Sequence, residues 1–128
     1  MEMKETMVDK TWGKEKWFVN NHLYCGKLLS VNQGKWSSEG RFHYHKVKDE
    51  TFFIVSGILH VDLVTLDNEF FSISLRGGQT YRIKPNVKHR FTALNVEGCR
   101  FIETSTTHRD EDSYRCEWDK ENRTWIEE

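Results

Sequence analysis

His43-Tyr44-His45-Lys46-Val47-Lys48-Asp49-Glu50, followed by Thr51-Phe52-Phe53-Ile54-Val55-Ser56-Gly57, decides how this chain is read. In an extended strand, side chains at i and i+2 project from one face, so His43 and His45 point at one spot. Glu50 opens an apolar, aromatic and β-branched run that ends at a glycine expected to start a hairpin. If Glu50, Phe52 and Ile54 share a face, the carboxylate enters the interior, where it is costly unless paired or bound to a cation. A third histidine, His89, closes Ile83-Lys84-Pro85-Asn86-Val87-Lys88-His89 further along. Three imidazoles and a carboxylate form a mixed nitrogen and oxygen donor set. The ion it suits is a single divalent transition metal such as Mn, Fe, Zn, Ni or Co.

Working outward, the chain reads as short strands. The predicted segments are Leu23 to Val31, Trp36 to His45, Glu50 to Ser56, Ile58 to Leu66, Glu69 to Leu75, Gln79 to Ile83, His89 to Leu94 and Cys99 to Thr106. Breakers separate them at Ser56-Gly57, Asp67-Asn68, Gly77-Gly78 and Pro85-Asn86, and Gly40 marks a bend or bulge. No stretch carries a convincing helical period. The pattern therefore predicts an all-β, antiparallel sandwich or barrel. At 128 residues the expectation is a single domain over 1–128, with peripheral segments at 1–10 and 108–128. Trp118 and Trp125 in the second of these point to a docked tail.

The 19 basic and 20 acidic residues leave a net charge of −1, so no global field favours nucleic acid or an anionic membrane. No apolar run reaches the length of a membrane span, and Met1 to Thr6 is followed by no apolar signal core. Cys25, Cys99 and Cys116 are odd in number and form no Cys-x-x-Cys pair, which points to a reduced, cytoplasmic setting. Cys25 and Cys99 read as small buried hydrophobes. Gly77-Gly78 precedes no helix, which excludes a phosphate-cradling loop.

The spacing His43-x-His45-x4-Glu50-x6-Gly57, with Gly78-x6-Pro85-x3-His89, resembles the two motifs of the cupin superfamily over about Trp36 to Phe91. Ser37 and Val87 stand where glycine is common, and neither departure removes a ligand. The resemblance implies a small antiparallel β-barrel of jelly-roll type with the four donors holding a metal inside, and a homodimer paired through sheet edges. Two sugar-isomerising groups come closest. Tyr24-Cys25-Gly26-Lys27 with Lys48-Asp49-Glu50-Thr51-Phe52 looks like the D-lyxose and D-mannose isomerase pattern, in which that lysine lies beside the metal. Trp12-Gly13, Lys27, the turn Pro85 to Arg90 and Arg109 to Arg115 look like the cupin domain of bifunctional mannose-6-phosphate isomerases.

That resemblance implies a metal-dependent aldose–ketose isomerase acting on a sugar or sugar phosphate. An Fe(II)-dependent dioxygenase and a non-catalytic carbohydrate- or small-molecule-binding module remain the alternatives, because one fold hosts many chemistries. The candidate catalytic residues are Lys27, Glu103 and Arg41. Lys27 either faces a developing alkoxide, acts as a base when desolvated, or lies on the outer face. Glu103 alternates with Phe101 and Ser105, and its face is open. Arg41 shares strand parity with His43 and His45 unless Gly40 bulges the strand. Tyr24 and Tyr81 read as buried structural tyrosines. Lys46, Lys48, Lys88 and Arg90 read as a charged rim near the ligand turns.

Overall fold

The computed structural model describes residues 6–128. Twelve strands run along the chain: β1 (Thr6–Lys10), β2 (Gly13–Asn20), β3 (Cys25–Val31), β4 (Phe42–Tyr44), β5 (Glu50–Ser56), β6 (Ile58–Val64), β7 (Phe70–Arg76), β8 (Thr80–Ile83), β9 (Lys88–Ala93), β10 (Cys99–Ser105), β11 (Tyr114–Asp119) and β12 (Thr124–Glu127). They form two sheets, ordered β1-β2-β3-β10-β5-β8 and β12-β11-β4-β9-β6-β7, and every strand pair is antiparallel. Four strands of each sheet, β3-β10-β5-β8 and β4-β9-β6-β7, make the jelly roll, with β8 and β7 at the edges. No strand of one sheet pairs with a strand of the other. The all-β antiparallel jelly roll expected from the sequence is present, built as two sheets that do not close into one barrel.

Alternation explains the inner faces. Glu50, Phe52 and Ile54 of β5 are buried together, as are Leu59, Val61 and Leu63 of β6 and Phe101 and Glu103 of β10. Phe52 and Phe101 meet at 4.7 Å between ring centroids and Phe91 packs edge-on to both. Fully burying one such ring contributes roughly 1.5–3 kcal/mol. Trp12, in the β1–β2 turn, closes this core against Phe91.

Three details differ from the sequence reading. Gly57 starts no hairpin, because β5 and β6 lie in different sheets and the turn crosses between them. The chain passes so close there that a Cβ on Gly57 would sit 2.3 Å from the Gly98 carbonyl oxygen, at a φ of +85° that also favours glycine. Gly77-Gly78 likewise joins β7 of one sheet to β8 of the other, whereas Asp67-Asn68 does close a hairpin. Trp36 to Gly40 is no strand. A 3-10 turn occupies Ser37–Gly40 with Ser38 and Glu39 left-handed, and Ser37 Oγ accepts the Phe91 amide at 2.9 Å. A serine side chain in place of a ladder partner is what ends the strand there.

The sequence missed four strands, β1, β2, β11 and β12. Residues 6–10 form β1 at the outer end of one sheet, and the rest of the segment 1–10 lies outside the described residues. β11 and β12 come from the segment 108–128 and extend the other sheet, with β11 paired to β4. Trp125 packs on Phe42 and Phe70 and Trp118 on Phe70, so the tail docks through its tryptophans.

Candidate metal centre

His43 and His89 face each other as register partners on β4 and β9. His45 lies one residue past β4 and keeps the same inward parity. One ring nitrogen from each of the three lies within 4.8 Å of the others, the spacing of a group that can hold a metal ion. Glu50 enters from the opposite sheet. Its Oε2 is 3.3 Å from His45 Nε2 and its Oε1 is 3.3 Å from His89 Nε2. The four donors predicted from spacing are thus brought to one place.

Hydrogen bonds aim the rings. His45 Nδ1 donates to the Asp112 carbonyl at 2.7 Å and His89 Nδ1 to the Val87 carbonyl at 3.0 Å. Each bond leaves Nε2 unprotonated and turned inward. Both Glu50 oxygens, His89 Nε2 and His43 Nδ1 are buried without a hydrogen-bond partner. Such orphaned groups cost about 1–3 kcal/mol each, more for a charged one, and a cation would relieve that cost. Burial, then the adjacent His89 and His45, hold the His43 imidazole well below its ordinary value, and burial lowers His45 as well. Burial pushes the Glu50 carboxyl up, but the facing His89, Lys48 and His45 carry it below the usual range. Neutral imidazoles and an ionised carboxylate are the forms that bind metal. The residues present fit the ion.

His43 and His45 open onto a cavity of about 520 Å³. Lys27, on the inward face of β3 with Leu29, is almost fully buried, as is Glu103 of β10. Lys27 Nζ lies 3.9 Å from Glu103 Oε2 and 3.8 Å from Glu15 Oε1, with the Trp17 ring beneath it at 4.1 Å. The outer-face reading of Lys27 is thereby removed, and the face of Glu103 is settled as inward. Arg41 lines the mouth, where Glu128 Oε1 holds it at 2.8 Å and Ser38 O accepts from Nε.

Four contributors were missed or misread. Lys48 belongs to no charged rim. It is 3% exposed, with Nζ 2.9 Å from Glu103 Oε2 and 3.6 Å from Glu50 Oε2. Burial lowers its pKa, but Glu103 and Glu50 outweigh that and hold the ammonium above its ordinary value. The other rim residues lie over aromatic faces: Lys46 over Tyr114, Lys88 over Tyr44 and Trp125, Arg90 over Phe42. His108 Nδ1 sits 3.3 Å from both Lys27 Nζ and Lys48 Nζ. Asp112 takes the backbone amides of Lys46, Val47 and Lys48 on its carboxylate. Glu15 accepts the Trp17 indole N–H at 2.7 Å. Lys48 alone carried a local signal, its i+2 parity with Glu50. Tyr24 is exposed rather than buried, and Tyr81 packs half-buried on the core.

Fold and donor set define a metal-binding cupin. The chain matches the cupin-domain family over residues 28–105 and belongs to it. Similar solved structures include oxalate decarboxylase from Bacillus subtilis, with TM-score 0.77 and 15% identity over 90% of this chain and 31% of that one. Another is the oxalate decarboxylase of Lactobacillus farciminis in a formate complex, with TM-score 0.73 and 18% identity over 86% and 33%. A third is the capsular polysaccharide assembling protein CapF from Staphylococcus aureus, with TM-score 0.76 and 18% identity over 88% and 31%. The chain spans about a third of the length of these proteins, and the likeness is one of fold. The Bacillus subtilis decarboxylase has Mn(II) centres. Among curated protein sequences none matches the chain. No helix among the described residues is long and apolar enough to cross a membrane.

Proposed function

We propose that the protein is a divalent-metal-dependent aldose–ketose isomerase acting on a sugar or sugar phosphate. One observation carries the reading: a buried carboxylate, Glu103, and two buried ammoniums, Lys27 and Lys48, line one cavity with His43 and His45, and Lys48 reaches Glu50 at 3.6 Å. An O₂-activating site needs the ion and an open position. Moving a proton between adjacent carbons needs a base and a cationic donor besides.

A divalent ion on those four residues supplies Lewis-acid polarisation of the substrate carbonyl. Glu103 removes the proton from C2 of the aldose and returns it to C1. The Lys27 ammonium gives a proton to O1 as the carbonyl is lost, then takes the O2 proton as the new carbonyl forms. Each carbon and oxygen exchanges one proton, so the ketose forms with no external reagent. Lys48 remains charged and steadies the negative charge that passes between the two oxygens. Two ammoniums and a divalent ion set against Glu15, Glu50 and Glu103 leave one net positive charge, which suits an enediolate.

The test is a panel of aldoses, ketoses and their phosphates, incubated with metal-loaded protein in D₂O without O₂ and followed by proton NMR. Conversion with deuterium entering at C1 or C2 is expected. Turnover that requires O₂ would replace this reading with the dioxygenase, and saturable binding without any conversion would leave a carbohydrate-binding module.

A further inference from the structure

His108 lies outside every motif that marks the metal centre, yet its ring is the meeting point of both cavity lysines. Nδ1 is 3.3 Å from Lys27 Nζ and 3.3 Å from Lys48 Nζ. An ammonium has donors and no acceptor, so Nδ1 faces them as a lone pair. The ring proton then sits on Nε2, which donates to Asp110 Oδ1 at 2.9 Å. The residue is anchored on both sides of its backbone. Its N–H donates to Asn20 Oδ1 at 2.9 Å, its carbonyl accepts from Asn20 Nδ2 at 3.2 Å, and the Trp17 ring packs edge-on at 4.9 Å. Side chains of β2 thus hold an imidazole acceptor in front of two cations.

The ion-pair partners of those cations are carboxylates. Lys27 has Glu15 and Glu103, and Lys48 has Glu103 and Glu50. Lys48 already pairs with Glu103 at 2.9 Å, while Lys27 stands at 3.9 Å. Without a neutral acceptor Lys27 would be drawn onto Glu103 as well, and a doubly paired carboxylate is a poor base. One sp² lone pair accepts a single good hydrogen bond, so two ammoniums sharing it keep N–H groups free for substrate oxygens.

Resting on the isomerase reading, we propose that His108 is a positioning residue: its Nδ1 lone pair, 3.3 Å from Lys27 Nζ, holds Lys27 off Glu103 and aimed at the substrate oxygens. The test pairs His108→Leu, which removes the acceptor, with His108→Asn, whose Oδ1 takes the place of Nδ1 but passes no proton. His108→Leu should lower kcat by roughly a hundredfold, the scale of a catalytic group misplaced by about 1 Å, with KM and metal content little changed. His108→Asn should recover most of that loss. An Asn variant as impaired as the Leu variant overturns positioning, and so does an unimpaired Leu variant. Two readouts stand apart from turnover. Nitrogen-15 NMR of labelled wild-type protein should show His108 protonated at Nε2, and a proton on Nδ1 overturns the proposal. A crystal structure of His108→Leu should show Lys27 moved onto Glu103, and an unmoved Lys27 overturns it whatever the substrate. Wild-type protein inactive on every sugar would sink the isomerase reading alone.

Discussion

His45 Nδ1 donates to the backbone carbonyl of Asp112, 67 residues further along the chain, at 2.7 Å. The carboxylate of the same aspartate accepts the amides of Lys46 at 2.8 Å and Lys48 at 2.9 Å. The loop between two ligands of the metal centre is therefore built on a residue of the C-terminal segment. Removing that carboxylate frees three buried or half-buried N–H groups at once. Asp112→Ala should weaken metal binding by about 10–100-fold, the usual cost of losing a residue that orients a ligand. Competition with a chelating dye measures it. Asp112→Asn, which keeps one acceptor, should fall between.

Asp112 also sets an acid limit. Burial raises its carboxyl, but the amides of Lys48, Lys46 and Val47 outweigh that and hold it below the ordinary value. The unfolded chain, with an aspartate near ~3.9, binds the proton first as pH falls. The carboxylate thus stabilises the fold at neutral pH, and its contribution fades below about pH 4 as the folded value is crossed. Thermal midpoints of Asp112→Asn should lie below wild type at pH 7 and converge on it in acid. Parallel curves at all pH values would contradict the linkage.

Replacing His43 and His45 together by alanine should abolish stoichiometric metal in elemental analysis while circular dichroism stays that of a β protein. The core of Phe52, Ile54, Leu59, Val61, Phe91 and Phe101 is buried without help from the ion. Metal retained at one equivalent in the double variant would remove these residues as ligands.

Truncating that core should be the costlier change for stability. Phe52→Ala should destabilise by about 3–5 kcal/mol, since the ring is wholly buried and touches both Phe91 and Phe101. Urea unfolding reads it directly.

Under the isomerase reading, Lys27→Met should keep fold and metal and lower turnover by roughly a hundredfold or more, the scale for one lost oxyanion donor. A variant as active as wild type would move that role to Lys48.

The inner faces of β5, β6, β9 and β10 were legible because strand parity is local. Alternate residues share a face whatever lies beyond, so the spacing of His43, His45, Glu50 and His89 was enough to put them inside. Corners were not legible. Gly57 reads like any hairpin glycine, and only the approach of Gly98, from the turn before β10, shows that the chain changes sheet there. β2 hid for a related reason. Its Lys14-Glu15-Lys16 looks solvated, yet Glu15 is buried because Lys27 of the next strand pairs with it. Lys48, His108 and Asp112 carry the same lesson into the site. A charged side chain enters a protein interior when a partner compensates its desolvation. Glu103 for Lys48, two ammoniums for His108 and three amides for Asp112 all come from far along the chain, so their place was decided by the long-range pairing and packing of strands.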